Sequence, residues 1–126
     1  MTGKEYVSNA MRTNDGRSTF RLSQAIAMEY PWDIDIGGVF NGCLGLVGES
    51  GELCDMVKKW VFHEKELDEV HLKKELGDVM WYVAMICHSM NWNLDEVLQM
   101  NVDKLKARYP EGFDVDKANN RAIGDI

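Results

Sequence analysis

Four carboxylates in this chain stand in two pairs at i,i+3 spacing: Glu49 with Glu52, and Glu75 with Asp78. At about 100° per residue the members of each pair project from one side of a helix, one turn apart. Leu46, Leu53, Met56 and Trp60 share the stripe on which Glu49 lies; Tyr82 and Met85 share that of Asp78, with His71 and Glu75 along its border. Burying an ionised group unpaired on an apolar face is costly, so acids converging there from two adjacent, oppositely running helices require cations. Their stripe neighbours are mostly apolar or aromatic, which makes a divalent metal the simplest partner. Four oxygen donors with open positions for water suit Mg²⁺ or Mn²⁺. The competing reading pairs Glu49 and Glu52 with Lys58, Lys59 or Lys74 along a solvent-facing edge. A di-iron bundle is disfavoured, because no Glu stands three residues before His63, His71 or His88. The residues assign His63 and His71 no role.

A second polar face follows. Asn101, Lys104 and Arg108 recur at steps of three and four, an amide and two cations able to hold phosphate. The alternative is a helix end whose cations favour the C-terminal dipole. Trp60 and Tyr82 lie beside the acids, where each can stack on a base or fill the core.

The elements that position these groups read as helices. A short helix over residues 4–12 ends at Asn14-Asp15-Gly16, and a second is expected over 20–28. Tyr30-Pro31-Trp32 and Gly37-Gly38 interrupt the chain on either side of Asp33-Ile34-Asp35-Ile36. Helical periodicity resumes over residues 39–63, including Val57. Asp68 caps the next helix, which runs through Leu72, Leu76, Val79, Val83 and Ile86 to Met90. Asn93 with Glu96 resembles a capping box, and Leu94, Val97, Leu98 and Leu105 carry that helix to Arg108, before Pro110. The polar tail, 114–126, is expected to be partly disordered or to wrap a neighbouring subunit. The fold class is therefore all-α.

The whole chain has 126 residues, a formal charge of −7 and 45% hydrophobic residues, which fits one domain. Its acidic excess and lack of a basic stripe disfavour a nucleic acid polymer as partner. It has no apolar run of the ~20 residues that a membrane span needs. The start, MTGKEYVSN, does not resemble a secretory signal. Three cysteines, an odd number with no C-x-x-C pair, fit free thiols in the cytoplasm.

Three segments carry a resemblance: Leu44-Gly45-Leu46-Val47-Gly48-Glu49-Ser50-Gly51-Glu52-Leu53, then Lys74-Glu75-Leu76-Gly77-Asp78-Val79, then Asn101-Val102-Asp103-Lys104-Leu105-Lys106-Ala107-Arg108-Tyr109-Pro110-Glu111-Gly112-Phe113. Together they resemble the MazG-like, all-α nucleoside triphosphate pyrophosphohydrolases. The resemblance spans residues 39–113 of a domain at 1–113, with 14–38 as a variable insert. It implies Mg²⁺-dependent cleavage of a nucleoside triphosphate to the monophosphate and pyrophosphate. Glu49, Glu52, Glu75 and Asp78 match the family's metal ligands, and Glu52 is the choice for activating water. Tyr82 and Asn101 match nucleotide-contacting positions, while Lys104 and Arg108 would hold phosphates. The resemblance also implies a helical bundle completed by a homodimer or homotetramer. The alternative is a catalytically silent nucleotide-binding or helical interaction module.

Overall fold

The computed structural model describes residues 1–28 and 33–124. Their elements run α1 (Gly3–Ala10), a 3₁₀ turn (Met11–Thr13), α2 (Ser18–Ala27), α3 (Ile36–Phe62), α4 (Glu69–Ser89), α5 (Leu94–Arg108) and α6 (Val115–Asn119), with no strand among the described residues. The fold is all-α. Tyr30, Pro31 and Trp32 lie outside the described residues.

Caps set the helix limits. Asp35 accepts the Gly38 N–H at 3.0 Å to open α3, and Asp68 accepts the His71 N–H at 2.9 Å to open α4. Asn93 accepts the Asp95 N–H at 2.9 Å, so α5 opens on an Asx cap in place of the capping box that Glu96 predicts. At the end of α4, Asn91 adopts a left-handed conformation (φ 54°). There the Trp92 N–H returns to Cys87 O at 2.8 Å and the Asn91 N–H to His88 O at 3.1 Å, closing the helix as a Schellman motif.

One expectation is corrected. Gly37 and Gly38 do not interrupt the chain: they form the first turn of α3, which starts three residues earlier than its periodicity indicates. In the tail, Asp114 accepts the Lys117 N–H at 2.9 Å and starts α6.

Helix packing is concentrated in α3 against α4, which run antiparallel. Glycines on α3 set their register. A Cβ on Gly38 would strike the Ser89 hydroxyl, one on Gly42 would come within 2.6 Å of Ile86, and one on Gly45 would enter the Tyr82 ring. The missing side chains let the helices approach closely at 38/89, 42/86 and 45/82. Continuing the same antiparallel steps brings Glu49 opposite Asp78 and Glu52 opposite Glu75. The Asp35 N–H to Ser89 O bond at 2.9 Å and the Asn91 amide to Asp33 O bond at 3.2 Å lock the far end.

Outside this seam the apolar faces stay open. Among the described residues only Cys87 is a buried hydrophobic side chain. Val57, Trp60, Leu76, Leu98 and Leu105, on stripes expected to form a core, are exposed. The physical reason is that, among the described residues, no further helix packs broadly on those stripes.

Candidate functional site

The α3–α4 register brings together three of the four acids identified from sequence. Glu49, Glu52 and Glu75 each offer a carboxylate oxygen, and these oxygens lie within 4.8 Å of one another. Glu75 is buried, Glu49 partly so, and Glu52 exposed. Asp78, one turn beyond Glu75, is exposed and stands outside that group of three. Its charge is still felt there. The Glu49 carboxyl is held above the usual range first by desolvation, then by the like charges of Glu52, Asp78 and Glu75, and by a hydrogen bond with Glu75.

Such a cluster is unfavourable without a compensating cation. The nearby lysines do not fill that role: Lys58 and Lys59 both pair with Asp55, at 2.8 and 2.5 Å. They hold the Asp55 carboxyl down to about 2 and bind α3 to itself. Of the three lysines in the competing reading, Lys58, Lys59 and Lys74, the first two thus pair with Asp55 and not with Glu49 or Glu52. Among the described residues, His71 is a basic group in contact with the cluster, its Nε2 lying 2.7 Å from Glu75 Oε1 across one turn of α4. Three converging hard oxygen donors, one of them buried, fit a divalent cation of the Mg²⁺ or Mn²⁺ class. Ser50, between the two α3 acids, donates its hydroxyl to Leu46 O at 2.6 Å and serves the helix.

A cleft of about 540 Å³ opens beside the cluster. Glu52, Glu75 and His71 line its inner wall, and Lys65, Glu66 and Asp68 of the α3–α4 connection line its outer end. Sequence reading gave this connection no part in the site, because its residues carry no periodicity. His71 was passed over too, although its spacing four residues before Glu75 is the signal that finds it.

Tyr82 packs its ring against Gly45 and sits edge-on to Trp81 at 4.9 Å, one turn beyond Asp78 and two beyond Glu75 on α4. Trp60 is half exposed near the end of α3. Asn101, Lys104 and Arg108 are not brought to the cluster, for they lie on α5, which has no broad packing against α3 or α4. Asn101 and Lys104 line an open cleft with Trp92 and Met100. Lys104 and Arg108 line another with Lys117 and Asn120.

Residues 41–113 match the family described as "MazG nucleotide pyrophosphohydrolase domain". The "Gene 37 protein" of Mycobacterium phage L5 is 38% identical over 92 residues, an alignment covering 68% of this chain and 79% of the phage protein. No solved structure matches the chain. No helix among the described residues is long and apolar enough to cross a membrane.

Proposed function

The chain belongs to the MazG nucleotide pyrophosphohydrolase family, and on that premise we propose that it hydrolyses nucleoside triphosphates to the monophosphate and pyrophosphate in nucleotide-pool cleansing or control. The observation that carries this reading is the convergence of Glu49, Glu52 and Glu75 oxygens within 4.8 Å beside an open cleft. Glu49, Glu52 and Glu75, with Asp78 adjoining, would hold Mg²⁺ or Mn²⁺. Held by these acids, such an ion would supply charge neutralisation for the triphosphate and for the leaving pyrophosphate.

The protein's own groups then orient and move a proton. Glu52 is the exposed acid on the cleft wall, and its carboxylate accepts a proton from water as the water oxygen bonds to the α-phosphorus and the bridging bond to the β-phosphate breaks. Tyr82 and Trp60 offer aromatic faces to the base. Asn101, Lys104 and Arg108 hold the nucleotide and its phosphates. These α5 groups reach the acids from a second copy of the chain, in a homodimer or homotetramer. Supporting this, α5 leaves its own α3–α4 hairpin uncovered and the apolar stripes of that hairpin stay open. Cys43, Cys54 and Cys87 are free thiols, consistent with action in the reducing cytoplasm.

The test is pyrophosphate release from a panel of ribo- and deoxyribonucleoside triphosphates, with Mg²⁺ and with chelator. The expected result is metal-dependent release that Asp78→Asn and Glu49→Gln abolish while helicity is unchanged. Release that survives in both variants sinks the assignment. Nucleotide-induced stabilisation without release would favour a silent binding module.

A further inference from the structure

We infer that His71 is a positioning residue for the acid cluster, its imidazole fixing the plane of the Glu75 carboxylate so that Glu75 stays turned toward Glu49 and Glu52. The inference rests on the metal-dependent reading above. Three carboxylates whose oxygens lie within 4.8 Å repel one another, and a glutamate has three side-chain torsions by which to swing away. Something must oppose that swing before a cation arrives. Two contacts oppose it: the hydrogen bond between Glu49 and Glu75 and, from outside the trio, the approach of His71 Nε2 to Glu75 Oε1 at 2.7 Å. The acceptor side chain is 11% exposed, and the donor, at 55%, sits on the cleft side, where it also lines the wall with Glu52. A donor fixed on one carboxylate oxygen leaves the other lone pairs directed at the site, which is how outer groups tune ligands of a metal.

The contrast within α4 separates this pair from an ordinary surface ion pair. Glu69 and Lys73 have the same i,i+4 spacing, but they stand 4.0 Å apart with side chains 74% and 78% exposed. Such pairs contribute little. The two readings also predict opposite signs. If His71 were only another basic group near a cation site, removing it would leave cation binding unchanged or make it tighter. If it positions Glu75, removing it weakens binding despite the lost positive charge.

Mn²⁺ binding to the full chain, without nucleotide, decides the matter by electron paramagnetic resonance titration. His71→Ala is expected to weaken binding by about 10–100-fold. His71→Gln, which keeps an N–H donor at similar reach, is expected to restore it. Lys73→Ala is expected to leave it unchanged or tighter. Wild-type affinity in a folded His71→Ala, weak binding in a folded His71→Gln, or histidine nitrogen coupling to the bound Mn²⁺ overturns the inference; the last would make His71 a direct ligand. Absence of Mn²⁺ binding by the wild type removes the metal-dependent reading itself, so the two failures are distinguishable.

Discussion

At the scale of single residues, Glu49 carries the electrostatic tension of the site. Desolvation raises its carboxyl first, and the charges of Glu52, Asp78 and Glu75 raise it further. The folded chain therefore holds the Glu49 proton more tightly than the unfolded chain does. Its contribution to stability is complete below the ordinary carboxylate range and is lost as pH rises through the folded value. With chelator present, Glu49→Gln is expected to melt above wild type near pH 7, and the gap should close as pH falls below the ordinary carboxylate range, where the glutamate is protonated in both folded and unfolded chains. Added Mg²⁺ should then raise the wild-type Tm and leave that of the variant in place. A variant that melts no higher than wild type in chelator would show that the cluster's repulsion is relieved by other means.

At the scale of elements, the glycines of α3 matter as much as the acids. Gly45 has no room for a methyl group, because the Tyr82 ring occupies that space. In Gly45→Ala the gain in helix propensity, about 1 kcal/mol, competes with an overpacking cost of about 1–3 kcal/mol. A net loss of up to about 2 kcal/mol is expected, read by denaturant unfolding. Because Tyr82 must shift or the hairpin must open, Mn²⁺ affinity is expected to fall with it. A stabilised Gly45→Ala with unchanged affinity would mean that the 45/82 contact does not set the spacing of the acids.

The whole molecule exposes far more surface than one chain of its size should. Its 10552 Å² is about 1.5 times the roughly 6,800 Å² expected of a compact monomer of 14.4 kDa. In a dimer the surplus of about 3,700 Å² per chain amounts to about 7,400 Å² in total, beyond the roughly 2,000–5,000 Å² that obligate interfaces commonly bury. Leu44, Val47, Met80 and Trp81 are among the apolar side chains it leaves in water. Light scattering coupled to size exclusion is expected to give at least twice the chain mass, and Tm is expected to rise with protein concentration. A monomer with a concentration-independent Tm would overturn the assembly and, with it, the delivery of Asn101, Lys104 and Arg108 from a partner.

Periodicity and capping are local properties, so the sequence alone determined the all-α class, the caps at Asp68 and Asn93, the termination of α5 before Pro110 and the candidacy of the two acid pairs. A glycine, by contrast, reads locally as a breaker, and only its neighbour across the seam reveals Gly38 as a packing position inside α3. Register between helices depends on contacts far apart in the chain, and so only tertiary structure decided that Glu52 meets Glu75, that Asp78 stands aside from the trio, and that His71 grips Glu75. Tertiary structure also decided that Lys58 and Lys59 turn to Asp55, since several acids lie within their reach and the sequence does not rank them. The stripes carrying Trp60, Leu76 and Leu105 were legible as apolar, but an apolar stripe specifies burial without naming what buries it. Among the described residues of one chain no helix packs broadly on these stripes, which is why the place of α5 in the site is a question about the assembly.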